Sequence, residues 1–449
     1  MSRADFDSLH AHLFQSDGDE HGAVLLAGAS MLGNRLTLTV REVHLAQEGT
    51  DYVRGTIGYR ALAATFIHRM ITRARDERLV YLAVHNHGSD RSVSFSHIDL
   101  ESHARGYPAL LQIARGMPVG ALVFGQRSIQ ADIWLPGGER LTLEEAVVVG
   151  NTIQRLTPAP TNGHAHDTAN YDRQIRMFGA RGQAELARCK VGVIGLGGIG
   201  SLVTEYLARL GVGHFLLVDD DRVARSNLSR IAGATTSDAT KRIAKVAVAK
   251  RVISQANRSA EVKVLRKDAA QASTAKALSD CDYLFLAADS MRARLVFNAL
   301  VHQYLIPGVQ LGSKIYADNN GHLADVMSAN RPVRPGRGCL WCNQLIDPNQ
   351  LAKEAKTDAE RRAQAYGTAE PNPSVISLNA IAAAHSVNDF LLDYLDLRQE
   401  GELLHYEHFH FLKRSRSLVE PRRDLNCAEC SRGGRYARGD GVELPCLEG

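Results

Sequence analysis

Four glycines between a strand pattern and a helix pattern are the first residues whose type and spacing suit chemistry. Gly195, Gly197, Gly198 and Gly200 stand in the stretch VGVIGLGGIGS. Glycine lets the backbone approach a phosphate closely, and the following helix N-terminus supplies unpaired N–H groups and a positive dipole end. About twenty residues later, at the end of the next strand pattern, Asp219 can accept a hydrogen bond from a ribose hydroxyl. Alone, these residues predict a dinucleotide-binding Rossmann domain, as in a nicotinamide-dependent dehydrogenase.

Further motifs on both sides of the glycines narrow this prediction. YDRQIR at 171–176 and FG at 178–179 precede them, and SNLSR at 226–230, DAT at 238–240 and Lys245 follow. In this order and spacing the motifs resemble the ThiF/MoeB adenylation domain, which also activates ubiquitin and its relatives. The resemblance covers residues 170–430 and implies an α/β, Rossmann-like domain with a mostly parallel sheet.

The ThiF/MoeB resemblance implies ATP-dependent adenylation, in which a carboxylate attacks the α-phosphate of ATP and pyrophosphate leaves. Such a reaction depends on positioning and on neutralising a polyphosphate. By resemblance, Arg230 and Lys245 contact the phosphates, with Asn227 beside them. Outside this context, two such cations are more often ordinary surface residues.

The same resemblance assigns residues around the rest of the nucleotide. Asp219 holds the ribose, with Asp221 also directed into the site, and Asp289 coordinates Mg²⁺. Arg173 corresponds to an arginine that reaches into the partner subunit's site, which implies a homodimer. Ser290 follows Asp289 where asparagine is common in the family.

Two Cys-x-x-Cys pairs lie far apart in the C-terminal half, Cys339 with Cys342 and Cys427 with Cys430. Four thiolates in two such pairs suit a closed, tetrahedral structural Zn²⁺ site. The ThiF/MoeB family has such pairs in matching places. A redox Cys-x-x-Cys is the alternative, and two pairs that bracket the domain favour metal.

Relatives that pass the activated carboxylate onward often keep a cysteine in the loop after the first cysteine pair. Here residues 343–377 contain none, and YGTAE at 366–370 stands about where that thiol would lie. Cys189 and Cys281 fall beside strand patterns and are predicted to be small core residues. Cys446 is a candidate acceptor thiol, although an unpaired tail cysteine is the commoner interpretation. The prediction therefore stops at the acyl-adenylate.

A second constellation lies in the N-terminal third, where His85 and His87 end the apolar run Leu79–Val84. Imidazoles two residues apart at a strand end point the same way. A carboxylate further on, Asp99, would complete a three-ligand zinc site with a position left for water. With Ser96, the pattern His-x-His…Ser-x-x-Asp resembles the JAMM motif of zinc isopeptidases that cut ubiquitin-like proteins.

The JAMM resemblance implies a second Zn²⁺, with Glu20 as the general base and Ser96 steadying the tetrahedral oxyanion. The chain departs from the motif in one extra residue between His87 and Ser96, and in Gly88, where proline is common. A degenerate JAMM-like fold that only binds the partner is the alternative. Two rival ligands, His97 and His103, are predicted to be exposed helix positions.

The two resemblances together predict a fused enzyme for ubiquitin-like modification. One domain would process or remove a ubiquitin-like protein, and the other would adenylate its C-terminal glycine. A downstream conjugating enzyme would be a further partner. The alternative is adenylation of a sulfur-carrier protein for thiocarboxylate formation, with a degenerate, partner-binding N-terminal domain. A binding scaffold with both sites degenerate is a third hypothesis, and the retained phosphate-site residues argue against it.

Strand and helix patterns must position these residues. In the N-terminal part, short β-rich runs surround the helical segment Tyr59–Arg75, which predicts a smaller α+β domain. Further on, strands at Lys190–Ile194, His214–Val218 and Tyr283–Ala287 alternate with helices at Gly200–Leu210 and Arg242–Gln255. That alternation predicts parallel βαβ units.

Composition and length set the remaining expectations. The 449 residues, 45% hydrophobic and 23% charged, are enough for at least two domains, and a net charge of +4 argues against a dedicated nucleic-acid binder. No apolar run approaches the ~20 residues of a membrane helix and no signal sequence begins the chain, so we expect a cytoplasmic protein without a membrane partner. The polar stretch PAPTNGHAHDTAN predicts domains at 1–157 and 170–430, a linker at 158–169 and a flexible tail at 431–449.

Overall fold

The computed structural model describes residues 1–33, 35–53, 60–160, 168–318, 320, 322–355, 373–398 and 404–447. The chain divides into two compact units. The N-terminal unit comprises Met1–Asn162, Gln303–Leu305 and Arg435–Glu443, and the C-terminal unit comprises Gly163–His302, Ile306–Gly434 and Leu444–Gly449. Residues 161–167 of the predicted linker lie outside the described residues, so the domain limits at 157 and 170 stay a prediction.

The N-terminal unit has three described helices and eight described strands. The helices are α1 (Arg3–Leu13), α2 (Ala64–Asp76) and α3 (His97–Ala114). The strands are β1 (Gly22–Leu32), β2 (Arg35–Leu45), β3 (Val80–Asn86), β4 (Val119–Gly125), β5 (Ser128–Trp134), β6 (Arg140–Thr142), β7 (Ala146–Val149) and β8 (Ile153–Leu156). Six of these strands form one sheet in the order β2-β1-β3-β4-β5-β6. Strands β7 and β8 pair with each other in a second sheet.

Strand β1 shows why this sheet is covered on both faces. Ala23, Leu25 and Ala27 join one hydrophobic cluster, and Val24 and Leu26 join the other. Successive side chains of a strand point to opposite faces, so a run of consecutive apolar residues in a strand needs a core on each side. The first cluster contains residues of α1, and the second contains residues of α2 and α3.

The sequence predicted a smaller α+β domain here. Its sheet is mixed, with both parallel and antiparallel strand pairs. Strands β3 and β4 run parallel, and all other pairs in this sheet are antiparallel. Parallel neighbours need a crossover, and α3 supplies it. Helix α3 therefore begins near the end of β3, which places Asp99 beside the His85 strand end.

The C-terminal unit contains a larger mixed sheet. Its strands are β9 (Lys190–Ile194), β10 (His214–Val218), β11 (Glu261–Leu265), β12 (Tyr283–Leu286), β13 (Gly308–Ala317), β14 (Leu323–Val333), β15 (Tyr406–His410) and β16 (Ser415–Val419). The described helices are α4 (Thr168–Arg188), α5 (Gly198–Arg209), α6 (Thr236–Thr240), α7 (Lys245–Ala256), α8 (Ala272–Leu278), α9 (Met291–Gln303), α10 (Pro348–Glu354) and α11 (Ile376–Tyr394). The order is β11-β10-β9-β12-β13-β14-β15-β16.

The predicted parallel βαβ units are confirmed, and the sheet also has an antiparallel half. Strands β11, β10, β9, β12 and β13 are parallel neighbours, whereas β13 to β16 pair antiparallel. The carboxyl ends of β9, β10 and β12 thus meet at one edge of the sheet, where α/β folds bind their ligands. None of the helices in the described parts of the chain combines the length and apolar character that crossing a bilayer requires.

The predicted flexible tail has an ordered segment. Gly439 forms a parallel bridge with Ala29, and the Asp440 carboxylate accepts a hydrogen bond of 3.0 Å from the Met31 N–H. A Cβ at Gly28 would lie 2.4 Å from the Ala437 carbonyl oxygen, so the segment packs directly on β1. Backbone pairing orders this stretch, which its Gly- and Arg-rich composition does not indicate.

Candidate functional site

The glycine loop between β9 and α5 leaves an open space above a helix N-terminus. Gly195 has φ +88°, a region that favours glycine, and a Cβ there would lie 2.7 Å from the Ala288 nitrogen. A Cβ at Gly200 would lie 1.8 Å from the Gly195 carbonyl oxygen, so this position excludes any larger residue. Gly197, the N-cap of α5, has nothing within 4 Å of its Cβ position. A phosphate group can therefore approach the backbone at Gly197.

Asp219 lies at the end of β10 and is tied to the glycine loop. Its carboxylate accepts from the Leu196 N–H at 2.7 Å and the Asp221 N–H at 2.9 Å. Lys245, the first residue of α7, places Nζ 2.6 Å from Asp221 Oδ2 and 3.7 Å from Asp219 Oδ1. Burial raises the pKa of Asp219, although the Lys245 charge opposes this. The structure thus brings together the carboxylate predicted to hold the ribose and the lysine predicted to contact the phosphates.

Three further predicted residues lie in segments next to the loop. The Arg230 Cβ lies 3.5 Å from the Cβ position of Gly198, and its Nη1 donates to the Ser226 carbonyl oxygen at 2.6 Å. Asn227 shapes this segment, because its Oδ1 accepts from the Ala224 N–H at 3.0 Å. Asp289 is exposed in the loop between β12 and α9, directly after the Ala288 that packs on Gly195.

Among the described residues, Arg173 makes no hydrogen bond or ion pair with Asp219, Lys245 or Arg230. It is exposed on α4 and forms no ion pair with a described residue. The predicted role of Arg173 in the site of a partner subunit stays a prediction.

The four predicted cysteine ligands converge. Cys339 Sγ lies 3.4 Å from Cys342 Sγ and 3.8 Å from Cys427 Sγ, and Cys342 Sγ lies 3.6 Å from Cys430 Sγ. Sulfurs at ~2.3 Å from a tetrahedral zinc lie roughly 3.8 Å apart, so the donor set fits that ion. A hydrogen bond from Cys430 lowers the pKa of Cys339 to about 6, which favours the thiolate that a metal binds. Cys189 and Cys281 are buried core residues, as predicted.

The predicted histidine ligands also converge, in the N-terminal unit. His85 Nε2 lies 3.2 Å from His87 Nε2, and each lies 3.6 Å from Asp99 Oδ2. Nitrogen and oxygen ligands about 2.0–2.1 Å from a tetrahedral zinc lie roughly 3.3–3.4 Å apart, so these three atoms also fit one ion. Burial acts to raise the pKa of Asp99, but hydrogen bonds with His85 and Ser96 outweigh it and hold that pKa low.

Ser96 caps α3 and orients Asp99. Its Oγ donates to Asp99 Oδ2 at 2.7 Å and accepts from the Asp99 N–H at 3.2 Å. This contact is a capping box, which fixes the start of the helix and its carboxylate together. The predicted oxyanion role of Ser96 stays a prediction.

Glu20 lies at the edge of the histidine cluster, with Oε1 3.8 Å from His87 Nε2. Its pKa is raised because burial disfavours the carboxylate, against the attraction of both histidines. Asn86, between the two histidines, accepts from the His21 N–H at 2.7 Å and so holds the Glu20 segment against the end of β3. Sequence reasoning missed Asn86, and its only signal was its position inside His-x-His.

His103 corrects a sequence prediction. It was expected to be exposed, but it is buried, with Nδ1 2.8 Å from Asp132 Oδ2 and its ring stacked on Tyr107. Helix α3 turns this position toward β5, where the Asp132 carboxylate gives the imidazole a hydrogen-bond partner. His97 is exposed, as predicted.

Residues 171–429 match the model of the ThiF family. The chain belongs to the ThiF family. The match begins at Tyr171 and so includes none of residues 1–157.

The relatives of this ThiF-family chain share only part of their length with it. Adenylyltransferase and sulfurtransferase MOCS3 of Drosophila sechellia is 41% identical over 92 residues, 20% of this chain and 20% of that protein. Sulfur carrier protein ThiS adenylyltransferase of Bacillus subtilis (strain 168) is 32% identical over 133 residues, 29% of this chain and 40% of that protein. The chain thus spans well under two thirds of either relative. A crystal structure of E. coli MccB with ATP aligns with 60% of this chain and 76% of its own at TM-score 0.46 and 20% identity.

Two residues that support the ThiF site were not found from sequence. The Glu354 carboxylate accepts from the Met291 and Arg292 N–H groups, both at 3.0 Å, and so caps α9 just after Asp289. Asn379 of α11 places Nδ2 2.3 Å from the Cβ position of Gly198. Both come from helices distant in sequence, so no local pattern identifies them.

Proposed function

We propose that the C-terminal unit adenylates the C-terminal carboxylate of a carrier protein, using ATP. The observation that carries this proposal is the grouping of Asp219, Lys245, Arg230 and Asp289 around an open glycine loop in a ThiF-family domain. The substrate carboxylate forms a bond to the α-phosphorus, and the bond to the leaving pyrophosphate breaks. Arg230 and Lys245 neutralise the phosphates, Asp219 holds the ribose, and Asp289 would hold Mg²⁺, which screens the polyphosphate charge.

The proposed substrate is a ubiquitin-like or sulfur-carrier protein that ends in glycine. The B. subtilis relative is named for adenylating a sulfur carrier protein, and the D. sechellia relative is named as a sulfurtransferase as well. The absence of cysteine from residues 343–377 supports handing the adenylate to a sulfur donor or thiol outside this segment. Residues 366–370, where relatives place a thiol, lie outside the described residues.

The proposal is tested by pyrophosphate exchange. Purified protein with ATP, Mg²⁺ and labelled pyrophosphate is expected to form labelled ATP only when a carrier that ends in Gly-Gly is added. A carrier shortened by its last glycine is the matched control, because its terminal carboxylate then lies one residue short of the α-phosphate while the fold of the carrier is kept. Exchange that is equal with both carriers, or absent across a panel of ubiquitin-like and sulfur carriers, would contradict the proposal. A thiocarboxylate product without any lysine conjugate would identify the sulfur pathway.

For the N-terminal unit we propose a zinc-dependent isopeptidase that processes the same class of carrier. The ligand-to-ligand distances of His85, His87 and Asp99 favour this function over a degenerate domain. Zinc in such a site lowers the pKa of a bound water. Glu20, with its raised pKa, is placed to take up and return a proton beside the ligands.

Zinc content tests the N-terminal site without knowledge of the partner. Wild-type protein is expected to hold two zinc ions per chain, one for each donor group, and the His85→Ala/His87→Ala variant one. His97→Ala is the matched control, because that histidine is exposed one turn before Glu101 on α3 and belongs to neither group. Elemental analysis after dialysis measures the ratio. An equal zinc content in wild type and the double variant would rule out this site.

A further inference from the structure

Two arginines beside the proposed adenylation site have no carboxylate partner among the described residues. Arg294 on α9 donates to the Leu345 carbonyl oxygen at 2.7 Å. Arg331 on β14 donates to Gln310 Oε1 at 2.7 Å and to His408 Nε2 at 3.0 Å. Among the residues that the structure describes, neither guanidinium lies within ion-pair distance of an acid. Their partners are neutral, since burial lowers the pKa of His408 to about 4.

Both arginines are charges held partly away from water. Burial lowers the pKa of Arg331 to about 10, and the nearby positive charge of Arg294 lowers it further. Burial also lowers the pKa of Arg294, against the more distant pull of Asp289 and Glu354. The Arg294 Nε is buried without a hydrogen-bond partner among the described residues.

Arg334, a third buried arginine of the C-terminal unit, does have an acidic partner. Arg334 is buried and forms an ion pair with Asp393. Burying a charge without an opposite charge beside it costs free energy. Two such cations near each other also repel, which adds to that cost. An anion bound between Arg294 and Arg331 would offset both costs.

The sheet register places this pair on the substrate side of the site. Leu286, the last residue of β12, pairs with Gln310, and Gln310 pairs with Arg331. Arg331 is therefore level with the carboxyl end of β12, from which the chain leads to Asp289. Lys245 and Asp219 belong to the opposite side, beyond β9. With strands ~4.8 Å apart, β14 lies about 10 Å from β12.

We propose that Arg294 and Arg331 bind an acidic side chain in the C-terminal tail of the carrier protein. An extended peptide rises about 3.3 Å per residue, so a side chain about three residues before the adenylated glycine would reach β14. The pair makes the enzyme select acidic tails and reject basic ones. This inference rests on the proposed adenylation and specifies its substrate.

Binding of synthetic tails tests the inference. The probes are fluorescein-labelled heptapeptides of alanine that end in Gly-Gly, with one Glu or one Lys at the third, fourth or fifth position from the end. Fluorescence anisotropy with a non-hydrolysable ATP analogue measures each Kd. Wild-type protein is expected to bind one of the Glu peptides about tenfold or more tightly than its Lys counterpart, as for charge-assisted hydrogen bonds. Arg331→Gln and Arg294→Gln are each expected to remove this preference.

Controls separate recognition from folding and from the adenylation proposal. Arg416→Gln removes an exposed cation that is paired with Glu407 on β15, and it is expected to keep the preference. Arg331→Gln is expected to keep the wild-type Tm, because it removes a partly buried charge without an acidic partner. Equal or absent binding of all peptides, a preference that survives in Arg331→Gln, or a change confined to the affinity for the ATP analogue would overturn the inference. Pyrophosphate exchange with the carrier panel is scored separately, so exchange without a Glu preference refutes the tail site alone, and a Glu preference without exchange refutes adenylation alone.

Discussion

Lys245→Ala is expected to lower carrier-dependent pyrophosphate exchange about 10²–10³-fold, the usual cost of removing one group that stabilises developing charge. Lys245 is the first residue of α7, and its Nζ already lies between the carboxylates of Asp219 and Asp221. Without it, the phosphate site keeps two carboxylates and loses a cation. Initial exchange rates with saturating ATP and carrier measure the effect.

Lys250→Ala is the matched control for Lys245→Ala, because Lys250 is exposed on the same helix and is expected to keep wild-type exchange. Lys250→Ala is expected to keep the wild-type Tm, whereas Lys245→Ala is expected to lower it, because the buried Asp219 carboxylate loses its cation. Exchange is therefore compared at a temperature at which both variants are folded. Exchange in Lys245→Ala within threefold of wild type would show that Lys245 is not a phosphate ligand.

The same variant tests whether Arg173 acts across a dimer. If Arg173 completes the partner subunit's site, Arg173→Ala and Lys245→Ala proteins are each inactive alone. Refolding them together would form mixed dimers in which one site has both residues. Recovery of exchange on mixing supports the homodimer, and no recovery argues for a role of Arg173 within its own chain.

Cys342→Ser is expected to lose the zinc of the C-terminal unit and destabilise that unit by several kcal/mol. The four thiolates join a segment after β14 to one after β16, with Cys339 and Cys427 separated by 88 positions. Structural zinc contributes roughly 10–16 kcal/mol of apparent binding free energy in small zinc-finger peptides, so even a fraction of that is large against ordinary domain stability. Zinc analysis and thermal unfolding by circular dichroism measure the two effects together.

Cys446→Ser serves as the control for Cys342→Ser, because Cys446 lies outside the four-cysteine group. It is expected to retain zinc and Tm. A Cys342→Ser protein that keeps both zinc ions would exclude the four-cysteine site. If zinc is lost while Tm is unchanged, the metal is present without a structural role.

The sequence by itself determined those strands and motifs that depend only on residues close together in the chain. The strands Lys190–Ile194 and His214–Val218 have the predicted bounds, because a short apolar run flanked by glycine and polar residues is typical of a buried strand. Helix α7 begins at Lys245 and not at Arg242, where the chain turns through a positive φ of 49°. The glycine loop and the cysteine pairs were also identified, since their spacing carries the chemistry.

The tertiary structure alone decided which distant residues support these motifs. Glu354 caps α9 and Asn86 fixes the Glu20 segment, each through contacts between elements that no local pattern links. Burial decided the rest: His103 was expected at the surface, and the crossover of α3 turned it inward onto Asp132. Periodicity records which face of an element is apolar, but only the packing of elements shows which polar groups meet and which charges are left without a partner.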